Sequence, residues 1–267
     1  MSDQVMKTDM DEVVAPTAGL SGGVRSSSKH DSGPKHVAGE AVYIDDINEP
    51  FGTLHLAPGA ATIAHGKITK LDLSKVRTAP GVVCVLTADD IPGVNDVSPA
   101  HTDDEPVLPD GIVQFYGQPV FCVAAETRAQ ARAAAQLAEI EYEELPAVLD
   151  VAEALEKQLF VAPPHVMKQG DAKSALTRAK HRHSGRMEIG GQDHFYLEGQ
   201  ISFAIPGEDG DVLLHCSTQH PSEVQHNIAN VLGRPANAVT VEVRRMGGGF
   251  GGKETQAMQW AALAAIV

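Results

Sequence analysis

The stretch from Arg245 to Glu254 reads Arg-Met-Gly-Gly-Gly-Phe-Gly-Gly-Lys-Glu, with five glycines among the six residues Gly247 to Gly252. Glycine loses more backbone freedom on folding than any other residue, so such a loop is costly to order. The use that offsets this cost is close approach of backbone N–H groups to a ligand carrying phosphate or oxo groups, helped by a helix that follows. A nucleotide is the first candidate, because Gly247, Gly252 and Lys253 fit the spacing G-x-x-x-x-G-K. The next residue argues against it. A phosphate loop places a Ser or Thr hydroxyl on magnesium there, whereas Glu254 offers a carboxylate that repels phosphate.

Other chemistry-bearing residues are more dispersed. His194, His215, His220 and His226 raise the question of zinc, but none forms H-E-x-x-H or a comparable short-spaced pair with a third ligand, and they read as strand or loop histidines. Cys84, Cys122 and Cys216 each stand in an apolar, strand-like run without C-x-x-C spacing, as expected of buried free thiols in a reducing compartment. An iron–sulfur cluster would have to sit on another chain. The pair Asp45 and Asp46 reads as a turn or cap, and Phe195, Tyr196 and Leu197 read as core.

The elements that must carry these residues follow from periodicity and punctuation. The residues before about 28 end in a Gly- and Ser-rich run and predict a mobile arm. Apolar alternation from Lys35, through Ala41, Tyr43 and Ile44, predicts a short strand. Leu54 to Ala57, Ile68 to Leu73, Val82 to Leu86 and Pro119 to Ala125 predict further strands, broken by Gly and Pro. Ala88 to Ile91 predicts a helical turn, and the acidic, proline-bearing stretch from Pro92 to Gly111 a surface loop. Thr127 caps an alanine-rich helix to about Ala138, and Ile140 to Tyr142 returns as a strand. A helix is expected from Asp150 to Glu156, with a domain boundary near residue 150. Beyond it, Gly185 to Ile189, Gly199 to Ile205, Val212 to Ser217 and Val239 to Val243 read as strands, with a turn at Gly207 and Gly210. Ser222 is expected to cap a helix from about Glu223 to Leu232, ended by Gly233. The glycine loop thus joins a strand to an apolar segment that begins like a helix, where Glu254 would suit the first turn.

A chain of 267 residues with 43% apolar and 21% charged residues has room for two modest domains. Its net charge of −14 makes nucleic acid and anionic membranes poor partners. No apolar run approaches the roughly 20 residues of a spanning helix. The acidic opening lacks the pattern of a secretory signal, so a cytoplasmic location is expected.

Three stretches together resemble the xanthine dehydrogenase and aldehyde oxidase family: Gly191 to Gln200 (Gly-Gln-Asp-His-Phe-Tyr-Leu-Glu-Gly-Gln), Ser217 to Gln225 (Ser-Thr-Gln-His-Pro-Ser-Glu-Val-Gln) and Met246 to Glu254. Lys35 to Asp46 resembles the entry to that family's hammerhead-like domain. The resemblance implies an α+β chain: an arm over 1–28, a hammerhead-like α/β domain over 29–150, and over 151–267 the first part of a molybdopterin-binding α+β domain. It implies a molybdenum–molybdopterin cofactor that hydroxylates an electron-poor ring carbon of hypoxanthine or xanthine. By the same resemblance Gln192 hydrogen-bonds a molybdenum oxygen, and Gly249, Phe250 and Gly251 bring backbone against the metal ligands while the Phe250 ring walls the substrate pocket. Glu254 then hydrogen-bonds the purine; aldehyde-oxidising relatives usually carry an apolar residue there. Two 2Fe-2S clusters and FAD are implied on a small partner subunit, with NAD as acceptor. The apolar run Ala257 to Val267 carries no stop signal, so the remaining site residues are expected beyond it and the fragment alone is expected to be inactive.

Overall fold

The computed structural model describes residue 27 and residues 29–99 and 103–267. The predicted arm, apart from Ser27, and the part of the predicted loop at 100–102 lie outside the described residues. The chain divides into two units, the first ending at Val42 and the second running from Tyr43 to Val267. The first holds α1 (Gly33–Ala38), with a proline in its opening turn and Gly39 closing it at φ 71°. A Pro at the start and a left-handed Gly at the end are helix signals, and here they prevail over the alternation that predicted a strand. The expected strand ending at Ile44 gives way to a 3-10 turn, Ile44–Asp46, in which the Tyr43 amide donates to Asp46 Oδ2 at 2.9 Å. The acidic pair is therefore a cap.

The second unit continues with β1 (His55–Ala60), β2 (Gly66–Asp72), α2 (Ser74–Arg77), β3 (Val82–Leu86), β4 (Ile112–Val113), β5 (Pro119–Ala125), α3 (Arg128–Ala135) and β6 (Glu139–Glu144). The strands make two antiparallel three-stranded sheets, in the orders β1-β5-β3 and β4-β2-β6. β5 is buried along its whole length, because it is a central strand covered on both faces, so its sequence is a continuous apolar run. In β6 only Ile140 and Tyr142 turn inward between exposed glutamates, the alternation of a strand with one wet face. Although β5, α3 and β6 follow one another as expected, β5 and β6 belong to different sheets, so they form no crossover unit. Thr127 caps α3 as predicted, its Oγ1 accepting from the Gln130 amide at 3.2 Å, though the helix stops at Ala135.

The stretch from Pro92 to Gly111 is only partly the surface loop that its polarity predicts. Val97, Val107 and Leu108 are buried and join a core with Leu86 and Cys122 on one side and Leu214, Ile228 and Leu263 on the other. A few apolar residues in a polar run suffice to pin it, which its average composition conceals.

From Leu145 to Gly199 the chain is mostly irregular. α4 (Val151–Glu156) is capped by Asp150 as predicted, and α5 (Ala172–Arg178), not foreseen, is capped by Asp171. The strand expected at Gly185 to Ile189 is absent: the segment is exposed and has no neighbouring strand among the described residues. The chain then forms β7 (Ser202–Pro206), β8 (Val212–Cys216), α6 (Pro221–Leu232), β9 (Val239–Glu242) and α7 (Met258–Ile266). β7 pairs antiparallel with β8, and α6 carries the chain over to β9, parallel to β8. α6 begins at Pro221 rather than being capped by Ser222, since a first-turn proline has no N–H to satisfy. Gly233 closes it at φ 62°, as expected.

Candidate functional site

The glycine loop links β9 to α7. Its two ends meet at one atom: Glu198 Oε2 accepts from the Gly247 amide at 2.8 Å and from Lys253 Nζ at 3.0 Å. Ser217 Oγ completes the cluster, donating to the same oxygen at 2.6 Å and accepting from Lys253 Nζ at 2.7 Å. Lys253 is 0% exposed and its ammonium also lies 4.9 Å from the centre of the Tyr196 ring. A lysine held in this way cannot serve a nucleotide phosphate, which removes the last feature of the phosphate-loop reading.

Farther along, Gln219 Oε1 accepts from the Gly251 amide at 2.9 Å, and the Gln219 amide donates to the Lys253 carbonyl at 2.7 Å. Gln200 Nε2 donates to the Gly252 carbonyl at 3.1 Å and to Tyr196 Oη at 2.9 Å, while Gln200 Oε1 accepts from Trp260 Nε1 of α7 at 2.7 Å. There is no room for side chains in this setting. A Cβ on Gly247 would come 2.4 Å from Glu198 Cβ, and one on Gly252 would come 2.5 Å from Tyr196 Cε1.

Between these anchors the loop turns outward. Phe250 has φ 53° and Gly251 φ 91°. The left-handed region is strained for a phenylalanine, on the order of 1 kcal/mol or more, and persists where surrounding bonds impose it. The residue is 74% exposed. The amides of Gly248, Gly249 and Phe250 find no acceptor among the described residues. The loop therefore holds three amides without a protein acceptor, that of the buried Gly249 among them, next to an exposed Phe250, an arrangement able to receive an oxygen-rich group.

Of the residues singled out from sequence, Gly249, Phe250, Gly251 and Glu254 share this loop. Glu254 is exposed and lies ahead of α7, whose first turn carries no acidic residue, so the helix-terminus role considered for it does not apply. Gln192 lies in exposed coil and makes no hydrogen bond among the described residues. Two residues on, the same coil passes over the loop, where a Cβ on Gly252 would come 2.9 Å from His194 Cγ. Phe195 and Leu197 are exposed and Tyr196 is half-buried against Lys253, so the expectation of three core residues fails. Next to a glycine loop, aromatic residues have backbone rather than apolar side chains to pack on. Cys122 and Cys216 are buried as expected, and Cys84 only partly. Burial pushes the Cys122 thiol up to about 12 and the Cys216 thiol up to about 11.

Sequence reasoning left Glu198, Ser217, Gln219 and Gln200 without roles although all four fall in the stretches that carried the resemblance. The available signal was the polar residues within otherwise apolar or glycine-rich runs, which a fold seldom buries without partners.

Residues 38–146 match the family described as aldehyde oxidase and xanthine dehydrogenase, a/b hammerhead domain, and residues 155–267 match the molybdopterin cofactor-binding domain. The chain belongs to the xanthine dehydrogenase and aldehyde oxidase family. It is 41% identical over 238 residues to xanthine dehydrogenase of Dictyostelium discoideum, with 89% of this chain covered. It is 38% identical over 239 residues to aldehyde oxidase 4 of Cavia porcellus, again with 89% covered. It spans 17% of the length of each of these relatives. The fold is similar to the aldehyde oxidoreductase of Desulfovibrio gigas, with TM-score 0.75 and 29% identity over 88% of this chain and 28% of that one. It is also similar to quinoline 2-oxidoreductase of Pseudomonas putida 86, with TM-score 0.73 and 26% identity over 90% of this chain and 33% of that one. The α+β reading, a hammerhead region before a cofactor-binding region, thus agrees with the family. No helix among the described residues is long and apolar enough to cross a membrane.

Proposed function

We propose that this chain is part of the molybdopterin-binding subunit of a cytoplasmic purine hydroxylase, which converts hypoxanthine and xanthine to urate. The observation that carries the reading is the glycine loop, with both ends tied to Glu198, with Phe250 exposed and with the amides of Gly248, Gly249 and Phe250 lacking a protein acceptor. When bound, the molybdenum cofactor supplies oxygen to the ring carbon and takes up the electron pair of the C–H bond that breaks.

This chain's own residues supply binding and orientation. The amides of Gly249 and Phe250 donate toward the oxygen ligands of the cofactor without adding charge. In this reading Gly251 contributes close backbone approach, its amide being held by Gln219. Gln192 adds a side-chain amide donor, brought to the centre by the coil that continues to His194 over the loop. The Phe250 ring covers one face of the flat substrate and excludes water from it. Glu254 accepts a hydrogen bond from the purine and favours the charge distribution that develops as the ring is attacked. A small partner subunit would hold the 2Fe-2S clusters and FAD that supply the electron path to NAD in this reading.

The 38% identity to an aldehyde oxidase keeps a second reading, an aldehyde or N-heterocycle hydroxylase of the same family. Glu254 favours purines, since the resemblance places an apolar residue there in aldehyde-oxidising members. The test is to express the full-length protein with its partner subunits, measure bound molybdenum, and follow xanthine-dependent NAD reduction. Molybdenum together with xanthine turnover supports the purine reading; molybdenum with aldehyde turnover alone replaces it by the second. Glu254→Ala is expected to lower purine turnover by about 10²-fold or more, on the order of 3 kcal/mol. An unchanged rate would remove Glu254 from the site.

A further inference from the structure

A fully buried lysine needs a reason. Taking an ammonium and a carboxylate out of water costs several kcal/mol for each ion, and well-packed apolar residues often do as well for stability. The pair Lys253 and Glu198 is therefore poorly explained as a stabilising device. What it does achieve is geometric. Gly247 and Lys253 open and close the turned-out segment, and both are bound to the single oxygen Glu198 Oε2. Ser217, just past the end of β8, braces the clasp from the sheet side, bonding both partners. The Lys253 carbonyl is fixed as well, accepting from Thr218 Oγ1 at 3.1 Å and from the Gln219 amide. The span between the two tied residues contains Phe250 and Gly251, both with left-handed backbone.

We infer that Lys253 and Glu198 are positioning residues, an ion-pair clasp that sets the curvature of the glycine loop and so the direction of its acceptor-free amides and of the Phe250 ring. They touch neither cofactor nor substrate, and act through Gly247 and the loop backbone. This inference rests on the cofactor-loop reading above only for its consequence, since the clasp itself is a property of the chain alone.

The test uses the full-length protein and the double variant Glu198→Gln with Lys253→Met, which removes both charges and leaves similar side-chain length. Three quantities are read: the unfolding midpoint, hydrogen exchange of the peptide spanning residues 246–254 in cofactor-free protein, and molybdenum and pterin bound per chain after loading. The clasp predicts a midpoint close to that of the parent, exchange of the loop at least 10-fold faster, and bound cofactor reduced at least 10-fold. A purely structural pair would lower the midpoint and leave loop exchange in the folded protein unchanged, and that result overturns the inference. Faster exchange in the variant, with a parent protein that binds no molybdopterin, upholds the clasp and overturns the cofactor reading. Equal loading of parent and variant overturns the positioning role. If the double variant does not fold, Ser217→Ala, which keeps the pair but removes its brace, is expected to speed loop exchange several-fold, and unchanged exchange overturns the clasp.

Discussion

The segment from Leu145 to Ile189 and the stretch from Glu198 to Val267 both contain many apolar residues, yet they fold to different degrees. In the first, Val161 is 99% exposed and Met167 100%, and neither α4 nor α5 buries a residue. In the second, Leu214, Ile228 and Leu263 are fully buried, and even a lysine finds every partner it needs. Apolar content is therefore not what orders this chain. The difference lies in closure: the second stretch has a sheet, a crossover helix and a loop whose ends are bonded to the same atom, whereas the short helices of the first have only local support, their caps and the Lys157–Glu153 pair.

The contrast can be broken most severely at the clasp. Lys253→Ala leaves the Glu198 carboxylate buried beside a hole and is expected to cost about 3–5 kcal/mol in chemical denaturation. A cost below 1 kcal/mol would mean that the glutamate reaches water in the native protein. A graded effect comes from pH. Because burial raises the folded-state values for Cys122 and Cys216 above that of a free thiol, the folded chain holds these protons more tightly than the unfolded chain. Their contribution is complete below about pH 9 and is lost as pH rises toward about 11 for Cys216 and about 12 for Cys122, by about 1.4 kcal/mol per pH unit for each thiol. Replacing Cys216 by Ala should flatten the decline of the unfolding midpoint between pH 9 and 11 by that thiol's share; an unaltered slope would assign the decline to other groups. The smallest effect belongs to the first segment. Met167→Ser is expected to shift stability by less than about 0.5 kcal/mol, because the side chain has no packing to lose. A larger loss would sharpen the comparison by exposing a contact made by Met167 in solution.

The same contrast accounts for what the sequence makes legible. Strands β1, β2, β3, β5, β8 and β9 are written in local alternation or apolar runs bounded by Gly and Pro, and α3, α4 and α6 in caps and stops, so each is readable within a window of ten residues. Gly185 to Ile189 has the same local pattern but no edge to pair with, and pairing is not a local property. The burial of Val107 depends on α7, where Gln259 Nε2 donates to the Val107 carbonyl at 2.8 Å across 152 positions. At the site, the glycines and Phe250 announce a loop that approaches something closely. The clasp is silent, because Lys253 and Glu198 are 55 residues apart and each alone looks like an ordinary surface charge.

The shared core has a consequence for inheritance. Pro92 to Val94 dock on the end of α6, with the Gly93 and Val94 amides donating to the carbonyls of Val231 and Asn230 at 2.8 and 3.0 Å. A Cβ on Gly93 would fall 2.2 Å from the Asn230 carbonyl oxygen, and Leu86 and Cys122 share one apolar cluster with Leu214 and Met258. Matched family regions on either side of this seam are thus not interchangeable modules. A graft of one onto a foreign partner would strand half a core, so the two must be exchanged, truncated or diversified as a single hereditary block.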